Sequence, residues 1–159
     1  MLLAIGLAAT PSHAQNASAT AETEILGSFS VIEVDELDFG TIIPGTTGGS
    51  VDIDKNNGNC STNGGITLVG NSCHRGHFLI LGDPNTKVQI TTDSAPITLN
   101  RQGGGATMEM DKLRVSGGKN QTLNGAGRLT FYASGRLQVG ANQAPGVYDA
   151  TFNVTVEYR

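Results

Sequence analysis

Two cysteines and two histidines lie close together in the sequence and are the residues best suited to chemistry. Cys60 and Cys73 are thirteen positions apart (73 − 60), and His74 and His77 follow them. The four could form a Cys₂His₂ metal site, but the cysteines are not a close pair and Cys73 adjoins His74. We predict a Cys60–Cys73 disulfide, as expected of an isolated pair in an oxidising compartment, and no bound metal.

A second candidate for metal chemistry is the acidic run that starts at Asp52 and ends at Gly58. The EF-hand calcium loop has Gly at its sixth position and Glu at its twelfth. Counted from Asp52, Gly58 comes one position late, and the twelfth residue is Asn63. A strand that ends in an Asn-Gly turn accounts for the same residues. Calcium therefore stays the weaker of two interpretations.

Catalytic motifs and features of other binding classes are missing from the sequence. There is no nucleophile elbow, no phosphate-binding loop and no zinc-protease motif, and no pattern pairs two carboxylates. The net charge is −4 and Lys and Arg are not clustered, which argues against a nucleic-acid partner. No run of apolar residues is long enough to span a membrane. We predict a protein that is not an enzyme and needs no cofactor.

The rest of the chain, which must position the cysteines, histidines and acidic residues, has the pattern of short strands joined by tight turns. Gly occurs 22 times and Trp not at all, and Gly-, Asn- and Pro-rich turns recur every eight to twelve residues. This pattern predicts an all-β, immunoglobulin-like sandwich. The predicted strands are Phe29–Val34, Leu37–Ile43, Ile66–Val69, Phe78–Leu81, Val88–Thr91, Ile97–Leu99, Met108–Val115 and Leu129–Val139.

The C-terminal segment has the most regular alternation in the chain. From Tyr148 to Tyr158 large or apolar side chains alternate with polar ones, after a turn at Gly146. We predict one amphipathic strand that buries one side. The residues assigned to this edge strand are Gly146, Tyr148, Phe152, Val154, Val156 and Tyr158, together with Ala150 on the same face.

The N-terminal residues divide into a targeting segment and an extension. Residues 1–14 have a short apolar run and end in Ser12-His13-Ala14, which fits a signal-peptide cleavage site. We therefore expect an exported protein whose mature chain begins at Gln15. Residues 15–27 form an extension that alternates before the Gly27-Ser28 break, and residues 28–159 form the sandwich domain. One face of the extension carries Ala17, Ala19, Ala21, Thr23 and Ile25.

Several short motifs resemble those of a known family when taken in order. They are Leu37-Asp38-Phe39-Gly40-Thr41, Ala106-Thr107-Met108, Ala144-Pro145-Gly146-Val147-Tyr148 and Val154-Thr155-Val156-Glu157-Tyr158. Together they resemble a family of secreted bacterial domains of unknown function that belongs with the adhesin and pilin superfamily. The ends also resemble chaperone–usher pilus subunits, including the spore-coat-protein-U-like type. In such subunits the penultimate residue is aromatic, like Tyr158, and a Gly such as Gly146 is fourteenth from the end.

The resemblance implies a structural subunit of a surface fimbria or pilus that is assembled by strand donation. Residues 15–27 of one copy would insert into the next copy, forming a head-to-tail fibre. A periplasmic chaperone and an outer-membrane usher would be the other partners, and the C-terminal edge strand would pair with the chaperone. The alternative is a self-contained secreted sandwich, either an adhesin or a carbohydrate-binding module, whose N-terminal strand pairs within its own chain.

Overall fold

The computed structural model describes residues 27–159, which form thirteen β-strands and no α-helix. The predicted all-β class is confirmed. Because residues 27–159 contain no helix, they contain none that could cross a membrane. The strands are β1 Ser30–Asp35, β2 Thr41–Ile43, β3 Gly49–Ile53, β4 Cys60–Gly64, β5 Thr67–Val69, β6 Gly76–Leu81, β7 Lys87–Thr92, β8 Ile97–Arg101, β9 Thr107–Val115, β10 Asn120–Thr122, β11 Arg128–Val139, β12 Tyr148–Asp149 and β13 Val154–Tyr158.

The largest sheet is built around β11, the longest strand. Its strand order is β1-β6-β11-β9-β8-β12, with β3 paired to β11 and β4 paired to β3. The first part of β11 pairs with β6 and the last part with β3, while β9 pairs along the opposite edge. All of these pairings are antiparallel. Side chains alternate between buried and partly exposed along β6 and much of β11, as expected of strands that pack one face on a core.

A three-stranded sheet of order β10-β7-β13 packs against one half of the large sheet. The core between the two sheets contains Phe78, Ile80, Phe131 and Ala133 from the large sheet with Val88, Ile90 and Val156 from the small one. This packing of two sheets makes the domain a β-sandwich. A small third sheet pairs β2 with β5.

A second core lies under the other half of the large sheet. It contains Phe39, Val51, Ile53, Ile66, Leu99, Met110, Leu137 and Val139. The three-stranded sheet contributes no residue to this core. The core is covered instead by shorter segments, including the residues around Phe39 and Ile66. The two halves of the sandwich are therefore closed to different extents.

Seven of the predicted strands are confirmed with small shifts of their ends. The eighth prediction, Leu37–Ile43, is only partly right. Its regular strand is limited to β2, and Asp38 makes an isolated bridge to His74. The sequence patterns did not reveal β4 or β10, and β3 was expected only as one explanation of the acidic run. β4 and β10 are short and polar, and β3 has only the two apolar residues Val51 and Ile53, so none of the three has an alternation long enough to recognise.

The prediction of one continuous strand from Tyr148 to Tyr158 is wrong. The segment forms β12, which pairs with β8 in the large sheet, and β13, which pairs with β7 in the small one. The two partner strands, β7 and β8, are consecutive in the chain but belong to different sheets. Pro96 lies between them and has no N–H to donate, so pairing is interrupted there. The matching break is fixed by Asp93, whose carboxylate accepts hydrogen bonds from the backbone and side chain of Asn153 at 2.8 and 3.0 Å.

Candidate functional site

The half of the sandwich that the small sheet leaves open contains a groove of about 860 Å³. Its floor is the inner face of the large sheet and is wholly apolar. The floor residues are Ile97 and Leu99 of β8, Met108 and Met110 of β9, and Leu137 and Val139 of β11. Four of these six belong to the second core and are buried, and Ile97 and Met108 are partly buried against it.

One wall of the groove is the segment between β1 and β3. Phe39 is buried in the second core, and Leu37 and Ile42 pack against that core. Gly40 has a positive φ of 77°, and a Cβ there would lie 2.8 Å from Ser72 Oγ. The Asp38 carboxylate accepts a hydrogen bond from the Gly40 backbone N–H at 2.7 Å. The wall is joined to the loop that contains Cys73 by two backbone hydrogen bonds between Asp38 and His74, at 3.1 and 2.8 Å.

The opposite wall is formed by residues 143–152. The Tyr148 hydroxyl donates to the Ala144 carbonyl at 2.6 Å and accepts from Gln143 Nε2 at 2.9 Å. Gly146 has a φ of 153°, and a Cβ there would lie 2.7 Å from Arg101 Nε. That same Nε donates to the Pro145 carbonyl at 2.8 Å, which ties this wall to β8.

Within residues 27–159 the strands of each wall pair along one edge only, and one further backbone hydrogen bond runs from the Asn142 N–H, beside the second wall, to the Gly45 carbonyl of the first at 2.8 Å. β12 pairs with β8 and β13 with β7, and no strand of this range pairs with their other edge. Residues 150–152 form no backbone hydrogen bond in the described chain. Across the groove, β2 pairs only with β5. The groove thus combines an apolar floor with unpaired backbone edges, a combination that can accept one more strand.

The six residues predicted for the C-terminal edge strand lie along one stretch of chain, but they do not share one environment. Gly146, Tyr148 and Phe152 line the groove. Val154, Val156 and Tyr158 pack on the core between the sheets, as Phe152 also does, and of these only Val156 is buried. Ala150, expected on the buried face, lines the groove and is exposed. The candidate donor residues Ala17, Ala19, Ala21, Thr23 and Ile25 lie outside the described residues.

The predicted disulfide between Cys60 and Cys73 is confirmed, with a Cα–Cα distance of 6.6 Å. It joins the first residue of β4 to the loop before β6. Because both sulfurs are in the disulfide, the Cys₂His₂ metal site is not available.

In the acidic run, the Asp54 carboxylate accepts hydrogen bonds from the backbone N–H groups of Asn56 and Asn57 at 2.8 and 3.0 Å. The hydrogen bond from Asn57 is the largest cause that lowers the pKa of Asp54, and the one from Asn56 is the second. Such bonds are typical of a turn, so a turn explains the acidic run.

The rim of the groove is acidic. Glu36 and Asp38 lie on one wall and Asp149 on the other, and no Lys, Arg or His lines the groove within the described residues. Glu36 and Asp149 are exposed. Arg101 belongs to β8 and donates to the carbonyls of Pro145 and Gly104 and not to a rim carboxylate. The rim therefore keeps its negative charge.

A smaller pocket of about 430 Å³ lies near the loop after β3. The Arg75 guanidinium lies 3.9 Å from the centre of the Tyr132 ring, and the His77 ring stacks on Tyr132 with centroids 5.0 Å apart. His77 Nδ1 lies 3.3 Å from Asp35 Oδ2. Arg75 also donates to two backbone carbonyls of the turn, those of Lys55 and Asn56. Most polar groups here already have protein partners.

Sequence reasoning missed the groove, although it named part of one wall. From the sequence, the floor residues Met108 and Met110 are predicted only to lie in a strand. Leu37 and Phe39 belong to a motif that resembles a family motif, and nothing in the sequence predicts that they line a groove. The apolar residues of β8, β9 and β11 could have indicated the groove if it had been known that the small sheet does not pack on them. That requires the strand order, which cannot be derived from the sequence.

Comparison with known proteins assigns the chain to a family. A family model described as a domain of unknown function, DUF4402, matches residues 29–158. The match covers both sheets of the sandwich and both walls of the groove. No curated protein and no solved structure matches the chain. The chain belongs to the DUF4402 family.

Proposed function

We propose that this protein is a structural subunit of a bacterial surface fimbria, and that its groove accepts a β-strand from a neighbouring subunit. The observation that carries the proposal is the groove itself, with an apolar floor and two walls whose facing edges are unpaired within residues 27–159. A strand laid between the walls would form backbone hydrogen bonds and place alternate side chains on the floor. Open sheet edges of this kind pair readily with other chains.

The proposed occupant is the segment 15–26 of another copy. Fully extended, its length is about 40 Å, which is more than the wall 143–152 would span at the same rise per residue, about 33 Å. Its alternation would direct Ala17, Ala19, Ala21, Thr23 and Ile25 to the floor. Burial of a medium apolar side chain contributes about 1.5–3 kcal/mol, and Ala contributes much less. Ile25 is therefore expected to dominate the binding free energy.

The direction in which the chain leaves the sandwich supports a head-to-tail arrangement. Phe29 packs edge-on against Tyr158, with ring centroids 4.9 Å apart, and the Gly27 N–H donates to the Asp83 carboxylate. The extension therefore departs beside the end of β13, whereas the groove flanks residues 143–152. The segment leaves one end of the subunit, and the groove opens towards the other end. Two different surfaces therefore meet when a segment enters the groove of another copy, and the contact is heterologous. Such a contact produces a fibre because it does not close on itself.

The other proposed partners follow from the exposed groove. An apolar groove with open edges promotes non-specific association during export. We therefore propose that a periplasmic chaperone covers the groove before assembly and pairs with the C-terminal wall, and that an outer-membrane usher receives the subunit. The resulting location is the cell surface, after passage through the periplasm.

The experiment is to delete residues 15–26 from the mature chain and keep Gly27, which contacts Asp83. The full mature chain should form fibres, seen by electron microscopy and light scattering. The deleted chain should remain monomeric because it has a groove but no strand to donate. A synthetic peptide of residues 15–26 should bind it one-to-one without producing fibres.

A matched control is the same deleted chain with a peptide in which Ile25 is replaced by Ser. This peptide keeps the length and the charges of the segment but loses its largest apolar side chain, so its binding should weaken at least tenfold. Fibres formed by the deleted chain would contradict the proposal.

A secreted binding module is the second candidate function. The observation in its favour is the pocket that contains Arg75, His77 and Tyr132, because an aromatic ring beside polar donors is typical of small-ligand sites. Under this hypothesis the full mature chain is a monomer at all concentrations. It binds a polar ligand such as a carbohydrate, and Arg75→Ala abolishes that binding. Glycan-array binding together with sedimentation would distinguish this candidate from the fimbrial subunit.

A further inference from the structure

The charges of the groove rim and of the proposed donor segment have the same sign. Glu36, Asp38 and Asp149 line the groove, which has no basic lining residue in the described part of the chain. The segment 15–26 contains Glu22 and Glu24 and no Lys or Arg. Apolar burial therefore favours docking, whereas the charges oppose it.

The alternation of a β-strand places these charges on the same side of the groove. Glu22 and Glu24 alternate with Ala21, Thr23 and Ile25, so a donor whose apolar face meets the floor presents both glutamates outward. On one wall, Glu36 and Asp38 alternate with Leu37 and Phe39, which pack on the core. On the other wall, Asp149 is exposed beside the half-buried Tyr148.

We propose that docking of the segment 15–26 of a second copy is governed by ionic strength, because the acidic rim repels the outward glutamates of the donor. This inference rests on the proposed function, since it concerns the same groove and the same occupant. Neighbouring strands lie about 4.8 Å apart, so the glutamates come within reach of the carboxylates on both walls. Subunits are held apart in dilute salt and associate as the salt concentration rises.

The size of the effect follows from screening. Like charges directly opposite each other on neighbouring strands destabilise a pair modestly. The screening length falls from about 30 Å at 0.01 M salt to about 3 Å at 1 M. With two donor glutamates facing the rim, the subunit association constant should rise about fivefold over this range.

The experiment measures that association constant for the full mature chain by sedimentation in 0.01 M and 1 M NaCl. The wild type should associate about fivefold more tightly at the higher salt concentration. The double variant Glu22→Gln/Glu24→Gln keeps the length and apolar face of the segment. It should already associate about fivefold more tightly than the wild type at 0.01 M, and the two should be equal at 1 M.

Rim variants separate the local repulsion from the net charge of the subunit. Glu36→Gln and Asp149→Asn each remove one charge from the rim and should strengthen association at 0.01 M. Glu109→Gln removes one charge from β9, at an exposed residue between Met108 and Met110, whose side chains face the groove. It should strengthen association less than either rim variant.

Two outcomes would overturn the inference and leave the proposed function intact. One is polymerisation whose association constant is unchanged or falls with salt. The other is equal strengthening by Glu109→Gln and by the rim variants, which would make net charge the cause. If neither the wild type nor any variant polymerises at either salt concentration, the proposed function itself is overturned.

Discussion

On the outer face of the large sheet, Asp111 takes part in a network that joins β9 to β11. Arg136 Nε donates to both carboxylate oxygens of Asp111, at 2.8 and 3.2 Å, and Gln138 Nε2 donates to one of them at 2.9 Å. Hydrogen bonding from Arg136 is the main reason that the pKa of Asp111 is lowered to about 2. Beside it, Arg114 pairs with Asp52 and also donates to the Ile53 carbonyl at 3.1 Å.

This network predicts a pH-dependent contribution to stability. Because the pKa of Asp111 is lower in the folded state, the stabilisation is present above about pH 4 and is lost as the pH falls towards 2. After allowance for solvent screening it is about 1 kcal/mol. Asp111→Asn should lower the melting temperature by about 3–4 °C at pH 7 and by less at pH 2.

Thermal unfolding at the two pH values is the measurement, with Glu109→Gln on the same strand as the control. The control should differ little from the wild type at either pH, because Glu109 has no ion pair or hydrogen-bonded side chain in the described chain. An equal loss at pH 7 and pH 2 for Asp111→Asn would contradict the assignment.

At the scale of elements, the disulfide connects two segments that have little regular structure of their own. Cys60 begins the short strand β4, and Cys73 adjoins His74, which bridges to Asp38. The disulfide therefore supports the wall of the groove that contains Asp38 and Gly40.

Replacement of both cysteines by Ser should lower the free energy of unfolding by about 3 kcal/mol, because the unfolded chain is no longer constrained by the loop. Urea unfolding of the double variant checks the value. The wild type in a reducing buffer is the matched control and should unfold at the same urea concentration as the variant. A difference below about 1 kcal/mol between the oxidised wild type and the double variant would show that the loop adds little constraint.

The split of the C-terminal segment is also a property of elements. β12 and β13 each follow the sheet of their partner, so the groove-lining residues Gly146 and Tyr148 are separated from the core residue Val156, whereas Phe152 packs on both cores. Substitutions at Gly146 are therefore expected to affect strand docking and those at Val156 folding stability, and a substitution at Phe152 is expected to affect both.

At the scale of the whole molecule, the proposed function requires that the groove beside the second core takes up one more strand. A donor segment attached in the right direction should supply it. If residues 15–26 are moved to follow Arg159 through a short Gly-Asn turn, the segment starts beside the same end of β13 as the native extension but runs in the opposite chain direction. It can then lie antiparallel to β13 and continue into the groove of its own chain. The relocated chain should be a monomer that melts at a higher temperature than the chain with residues 15–26 deleted.

The measurements are sedimentation and thermal unfolding of the relocated and deleted chains. The matched control is a relocated segment with Ile25→Ser, which should recover only part of the gain because the groove floor then lacks its largest apolar partner. Equal melting temperatures for the relocated and deleted chains would argue against strand completion.

Much of the fold follows from local patterns. Period-two alternation located β6, β7, β9 and β11, because each buries one face and is long enough for the alternation to be seen. The isolated cysteine pair predicted its own disulfide. Short polar strands such as β4 and β10 could not be found, since the pairing of their backbones leaves no mark on their side-chain pattern.

The all-β class, most of the strands and the disulfide could be predicted from the sequence, because they depend on residues close together in the chain or on residue type alone. The assignment of strands to sheets, the division of the C-terminal segment and the groove over one half of the sandwich could not be predicted. Those features depend on contacts between residues far apart in sequence, and the groove can be recognised only once the strands have been assigned to sheets.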